Sequence, residues 1–377
     1  MLLRSGFEYT YSAPSTHSRK RKQVDDGLIE RPSKRQDTTP APEEQPFSSS
    51  PPSPVPEVQT SSSSSPPSPA SLVNTIVGQE FQLLRVLVQG GSAYIYLGQS
   101  VKDNSYVAVK ALVKPESDHD MQLLQIEIDI HSSFNHSNIV SLHRVFEDDN
   151  YFYLVMELCD QGDLFDYLFA GHESSTPHEL IAKQMFSQVL DSVEHMHANS
   201  VFHRDLKLEN IFLKSHGEHH VVCKVGDFGL STRERTSTDF GCGSASYLPP
   251  EQLKRDRPYD CAASDVWSLG IVLLLLMFGG DYPWQTATDD DSSFVEFKRD
   301  SSVLKKRLYP GLSSATCRLL ESMLAMDGAD RPSVSEIKKQ FSVIDHFYAD
   351  DTESSPSSSS ADAALLSTNN EPKAEVS

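Results

Sequence analysis

The stretch from Ser48 to Pro69 is almost nothing but serine and proline. Such a tract cannot bury enough apolar surface to offset the entropy of ordering its backbone, so no compact fold runs through it. Residues 1–75 as a whole are poor in aliphatics, and residues from about Asp350 to Ser377 share that character, with Ser355-Pro356-Ser357 among scattered acids. The fold is thereby confined to about 265 residues between the two tails, where apolar and polar runs alternate regularly. We expect disordered tails at 1–79 and 346–377 around one folded domain at 80–345.

Formal net charge is -20, which argues against general affinity for nucleic acid. The five cysteines, Cys159, Cys223, Cys242, Cys261 and Cys317, include no C-x-x-C pair. They read as free thiols in a reducing compartment, neither a disulfide framework nor a zinc site. The N-terminus lacks a long apolar core, so no secretory signal is expected. The most apolar run, Ile271 to Phe278, is too short to cross a bilayer and reads as a core helix, so no membrane span is expected. Arg19-Lys20-Arg21-Lys22 and Arg31-Pro32-Ser33-Lys34-Arg35 are two basic clusters with a short spacer. They suit a bipartite nuclear-import signal or a solvated basic patch, and the expected location is cytoplasmic, nuclear or both. Ser50, Ser53, Ser65 and Ser68 precede prolines and suit proline-directed phosphorylation of the tail.

Within the core, Phe81–Val88, Tyr94–Gly98, Tyr106–Leu112 and Tyr151–Leu158 read as strands, and Met121–Phe134 as a helix. Past the polar break Asp160-Gln161-Gly162 the pattern turns helical, at Leu164–Phe169, Leu180–His197, Ser264–Phe278, Ala315–Leu324 and Val334–Phe341. The expected class is α+β and bilobal. A small antiparallel β-rich N-lobe with one helix (80–156) joins through a hinge (157–161) to a larger α-rich C-lobe (162–345).

Four segments carry chemistry. His203-Arg204-Asp205-Leu206-Lys207-Leu208-Glu209-Asn210 is followed, seventeen residues past Asn210, by Asp227-Phe228-Gly229. Val107-Ala108-Val109-Lys110 lies upstream and Pro249-Pro250-Glu251 downstream. Each triplet alone is weak, but four in order at these spacings are specific, and over residues 80–345 they resemble the eukaryotic protein kinases. The resemblance implies a bilobal kinase fold, ATP as co-substrate with Mg²⁺, and transfer of the γ-phosphate to a protein hydroxyl. It assigns Asp205 to accept the acceptor's proton and Lys207 to stabilise the transferring phosphoryl group. Asn210 and Asp227 are its metal ligands, and Lys110 its phosphate-binding lysine. Counting back from His136-Ser137-Asn138-Ile139-Val140 gives Glu127 as partner of Lys110, with Glu116 and Asp129 as rivals. Lys207, together with the Gly243-Ser244 step, implies serine/threonine rather than tyrosine acceptors.

The resemblance places Met156-Glu157-Leu158-Cys159 at the hinge, where backbone groups of Glu157 and Cys159 pair with adenine and their side chains matter little. Ile95 and Ala108 cover the adenine, and Asp163 joins the nucleotide-binding set. Asp163 and Glu209 also lie where some kinases hold arginines upstream of the acceptor. Asp265 is expected to brace the catalytic loop and Glu251 to pair with Arg331. The glycine-rich loop departs from the pattern, because Val88-Gln89-Gly90-Gly91-Ser92-Ala93 keeps only the central Gly90 of G-x-G-x-x-G. Phe240 stands where many kinases carry a phosphorylatable threonine, so Asp239, or phosphate on Thr236, Ser237 or Thr238, is expected to meet Arg204. His131 reads as a hydrogen-bonded core histidine, and His195 and His197 as packing residues. His216, His219 and His220 read as a solvated turn. Phe240-Gly241-Cys242-Gly243-Ser244 and Glu127-Ile128-Asp129-Ile130-His131 are similar to a group of fungal nutrient- and meiosis-signalling kinases. Such a chain is expected as a monomer acting on protein substrates. A pseudokinase scaffold and a small-molecule phosphotransferase are the rivals. The first has only the altered loop in its favour, and the second has no need of the Pro250-Glu251 segment.

Overall fold

The computed structural model describes residues 69–89, 93–169, 178–217, 220–279 and 282–349. Gly90, the two basic clusters, the Ser-Pro sites and His219 lie outside the described residues. β1 (Ile76–Val77), β2 (Phe81–Gln89), β3 (Ala93–Ser100), β4 (Tyr106–Val113), β5 (Leu142–Glu147) and β6 (Tyr151–Glu157) form one antiparallel sheet of order β1-β2-β3-β4-β6-β5. α1 (Asp118–Ser132) starts at Ser117, whose side chain accepts the N–H of Asp120. The period-2 pattern divides the sheet. Val107, Val109 and Ala111 join Leu83, Tyr96, Tyr153 and Val155 in a core on one face, while Leu154 packs with Leu124 and Ile128 of α1 on the other.

That first core reaches further along the chain than the alternating pattern suggests. Pro69–Leu72 form a 3₁₀ turn, Leu72 and Val73 pack against the sheet, and Val77 is buried opposite Phe81. The boundary at 80 therefore moves outward to include at least Pro69–Gln79. At the far end Phe347 is fully buried and Ala349 donates its N–H to Gly311 O, so the folded part also extends past 345. Both additions are short; the first carries its aliphatics as two adjacent pairs, Leu72-Val73 and Ile76-Val77, and the second adds only Phe347, Tyr348 and Ala349, so neither shows a sustained period.

α2 (Leu164–Phe169) and α3 (Glu179–Ala198) open the second lobe. The hairpin β7 (Ile211–His216) and β8 (His220–Val225) follows, then the pair β9 (Thr236–Ser237) and β10 (Tyr259–Asp260). α4 (Pro250–Lys254), α5 (Cys261–Phe278), α6 (Ser292–Arg299), α7 (Ser314–Met323) and α8 (Val334–Ser342) complete it, with a π-helical turn at Leu304–Leu308. β5 and α6 went unseen in the sequence, because each is short and half-exposed, and of the β7–β8 hairpin only the turn around His216–His220 was read. α5 runs 18 residues, longer than the apolar run that marked it. By length and composition it reaches what a bilayer requires, yet it is buried in the core of this lobe.

The ordered N-terminal segment gives a stability prediction. A chain starting at 80 should be less stable than one starting at 69 by about 3 kcal/mol, from the apolar side chains it uncovers. Urea denaturation of the two truncations measures the difference, and equal midpoints would show that 69–79 contribute nothing.

Candidate active site

Strand register gathers the residues of the small lobe. Val88 stands opposite Ile95, Ile95 opposite Lys110, and Ala108 opposite Met156. Directly opposed residues share a face, so Val88, Ile95, Ala108 and Lys110 line the face turned away from the buried tyrosines. From that face Lys110 Nζ reaches Glu127 Oε1 at 2.7 Å and Asp227 Oδ1 at 3.2 Å. Burial alone would depress the lysine, but the two carboxylates more than offset it and hold its pKa above the ordinary value. Of the two rivals to Glu127, Asp129 accepts from Gln125 on the exposed side of α1, and Glu116 precedes the helix and is exposed.

The catalytic loop hangs from Asp265 on α5, which is wholly buried. Its carboxylate accepts the N–H groups of His203 at 2.9 Å and Arg204 at 2.8 Å, and lies 2.8 Å from His197 Nε2. Arg204 is thereby held at φ 64, a left-handed conformation unfavourable for a residue with a β-carbon. The turn delivers Asp205, whose Oδ1 accepts the N–H of Ser244 at 2.9 Å and whose Oδ2 lies 2.7 Å from Lys207 Nζ. Lys207 Nζ also donates to Ser244 Oγ at 2.9 Å, and Asn210 Nδ2 donates to Asp205 O at 2.9 Å. Gly243 is required in this cluster: at φ +119, a β-carbon there would lie 2.5 Å from Arg204 O.

Residues 81–341 match the model of the protein kinase domain. The chain belongs to the protein kinase family. It is 34% identical over 257 residues to the serine/threonine-protein kinase ksp1 of Schizosaccharomyces pombe, an overlap covering 67% of this chain and 53% of that protein. A negative regulator of sexual conjugation and meiosis from the same yeast is 31% identical over 261 residues, 63% of this chain and 54% of that protein. The SNF-related serine/threonine-protein kinase of Rattus norvegicus is 34% identical over 264 residues, 68% of this chain and 33% of that protein. The chain thus spans about half the length, or less, of these curated relatives.

The kinase's Asp227 adopts φ 64, and Phe228 beside it is buried among the rings of His131 (4.8 Å between centroids), Phe134 (5.3 Å) and His203 (5.5 Å). Burial pushes the Asp227 carboxyl up, but the Lys110 ammonium outweighs it and holds the pKa below the ordinary value. His131 Nε2 lies 2.8 Å from Val140 O, and burial lowers its pKa to about 4, so the ring is neutral near pH 7. Asn210 turns its amide N–H groups to Asp205, leaving its side-chain oxygen free of that bond. Asp227 gives Oδ1 to Lys110 and has a second oxygen. Two hard oxygen donors fit Mg²⁺, which takes few protein ligands and completes its shell with water and phosphate. Among the described residues no group of three His, Cys, Asp or Glu side chains forms a closed cage.

The hinge requires a correction. The Glu157 side chain was expected to matter little, yet it is buried and holds three groups: the Ser141 N–H at 2.7 Å, Lys214 Nζ at 2.7 Å and Lys224 Nζ at 2.9 Å. Its backbone N–H is donated to Ser141 O. Burial raises the carboxyl's pKa, but hydrogen bonds from both lysines and Ser141 reverse this and bring it down to about 2. Cys159 is half-buried, and burial raises its thiol to about 12. Asp163 also has a task that sequence did not suggest, since its Oδ1 accepts the N–H of Asp166 at the start of α2. Burial raises Asp163 to about 6, with Asp166 and Glu209 adding to the shift.

In the kinase's activation segment Arg204 Nη1 lies 3.2 Å from Asp239 Oδ2 and 3.4 Å from Ser237 Oγ. β9 pairs with β10, and Tyr259 Oη donates to Asp239 O. Arg331 grips both Glu251 oxygens at 2.6 and 2.9 Å and lies over the Trp267 ring.

The Glu157 pKa is depressed on folding, so its contribution is full above pH 4.5 and declines as pH falls toward about 2. Glu157→Gln removes the carboxylate shared by two lysines and should cost about 3 kcal/mol at pH 7. The gap to wild type should narrow between pH 5 and pH 3 in chemical denaturation. A constant gap would show that the ion pairs are not its source.

Proposed function

We propose that this chain is a serine/threonine protein kinase that transfers the γ-phosphate of ATP to protein hydroxyls. The observation that carries this is the three-way contact of Asp205, Lys207 and Ser244. One aspartate oxygen is fixed by a backbone N–H, and the other faces the lysine that also touches Ser244. An acceptor hydroxyl entering there meets Asp205 as proton acceptor and Lys207 as the charge that balances the phosphoryl group. Lys110, oriented by Glu127, takes the α- and β-phosphates, while Ile95, Ala108 and Val88 cover the base and ribose. Gly90 belongs to the same loop by sequence, and Glu157 and Cys159 offer the hinge backbone. Asn210 and Asp227 would hold Mg²⁺, which supplies charge neutralisation at the phosphates when bound. A scaffold without chemistry has no need of so complete a set of opposed charges.

The acceptor protein is proposed to carry an arginine upstream of the serine or threonine. Asp163, Asp166 and Glu209 crowd negative charge together, and Glu209 Oε2 is buried with no hydrogen-bond partner among the described residues. A guanidinium matches both deficits. The basic clusters at 19–22 and 31–35 support nuclear as well as cytoplasmic residence, which a tagged chain with and without these residues would test.

Labelled ATP and serine, threonine or tyrosine peptides test the main reading. Phosphate should enter serine and threonine peptides only, and Asp205→Asn should lower the rate about 10²–10⁴-fold. Transfer to tyrosine, or an unaffected variant, overturns it. In the activation segment, Asp239→Ala should lower activity about two- to fivefold, as expected for an exposed ion pair. Thr238→Ala should have less effect, and the reverse ranking would show that loop phosphorylation supplies the anion instead.

A further inference from the structure

Arg255 has no ion pair among the described residues and is exposed, yet it is not idle at the surface. It ends α4 at φ 57 and ψ 30, a position where glycine or asparagine is the unstrained choice. Its guanidinium lies against Gly241: a β-carbon on that glycine would come within 2.8 Å of Nη2, 3.6 Å of Cζ and 3.8 Å of Nε. Gly241 itself has φ +70, a backbone conformation that favours glycine. An arginine kept in a disfavoured backbone conformation, over a glycine that leaves room for it, points to use of the side chain.

The place matters because Gly241 is three residues from Ser244, hence no more than about 11 Å along the chain. Ser244 touches both Asp205 and Lys207, where the acceptor hydroxyl enters. A substrate strand advances about 3.3 Å per residue, so a neighbour of the acceptor comes within reach of Arg255. Of the carboxylates nearby, Asp239 pairs with Arg204 and Asp260 with Arg235, while Asp256, next to Arg255 in the chain, is exposed and is flanked on its other side by Arg257. Lys254 faces Asp289, and Arg257 adds a further exposed positive charge. Asp163 and Glu209 belong to the start of α2 and the loop that carries Asp205, whereas Arg255 approaches through Gly241 and the Gly243-Ser244 step, so the two charge sets come from different segments of the chain.

We propose that Arg255 is a specificity-determining residue that selects an acidic side chain one or two positions after the acceptor serine or threonine. The inference rests on the protein-kinase reading above, and extends it to the other side of the substrate.

The full chain is assayed with peptides identical except for Glu or Gln at those two positions. Wild type should favour the Glu peptides about two- to fivefold in kcat/KM, as for an exposed ion pair, and the ratio should shrink as salt rises. Arg255→Glu should reverse the ratio and favour a Lys peptide. Because each ratio is taken within one enzyme preparation, partial loss of folded protein cancels. Phosphorylation with no acid preference, or a preference unchanged in Arg255→Glu, overturns the inference alone. An equal gain from Glu placed before the acceptor overturns the assigned position. If no peptide accepts phosphate, the kinase reading falls and the inference with it.

Discussion

The carboxylate of Asp265 is the contact on which the rest of the site depends. It sits on a helix buried almost throughout, where an unpaired negative charge would be severely destabilising. It is satisfied by two consecutive backbone N–H groups and the His197 ring. Those two donors belong to His203 and Arg204, so one buried charge and one strained turn stabilise each other. The turn fixes Asp205, Asp205 fixes the Ser244 N–H, and Lys207 closes the triangle. Precision at the exposed end is inherited from a group that no substrate ever meets.

A second chain of contacts ties the small lobe to the large one. Lys110 comes from β4, Glu127 from α1 and Asp227 from the segment after β8, and all three meet within hydrogen-bonding distance. Beneath them, Phe228 fits among His131, Phe134 and His203, drawn from both lobes. The ionic and aromatic contacts therefore report the same closed arrangement of α1. A histidine in that aromatic cluster is compatible with it because burial keeps His131 neutral and Val140 O engages its ring nitrogen. Its polar atom is satisfied, so the ring can pack like an apolar one.

Much of this was legible in the sequence because phosphoryl transfer demands residue types that cannot be exchanged. A proton acceptor, a metal-binding pair and two lysines at fixed intervals leave few alternatives, and Lys110, Glu127, Asp205, Lys207, Asn210 and Asp227 all converge. Asp265 and the Glu251–Arg331 pair followed from the same pattern. Glu157 did not. Its burial depends on Lys214 of β7 and Lys224 of β8 reaching the hinge, a tertiary contact that the alternation within two six-residue strands does not reveal. The role of Asp163 as a helix cap was hidden for a similar reason, since α2 is only six residues long. The segment before 80 was missed because its few apolar residues gain meaning only from Phe81, Tyr153 and the strand they cover.

The glycines separate what the fold requires from what the motif suggests. At Gly243 a side chain is excluded by Arg204 O, whereas at Gly241 the φ of +70 favours glycine and the nearby Arg255 guanidinium is a flexible end that could yield. Val88 stands where the family pattern has glycine, yet it is a paired strand residue with 56% of its surface exposed. Among the described residues it is not buried, so its extra atoms act chiefly on what binds against that sheet face. The same reasoning explains why the altered loop is weak evidence against catalysis. Loss of a glycine matters where backbone must approach backbone, as at Gly243, and the groups proposed to hold the acceptor and its proton lie there.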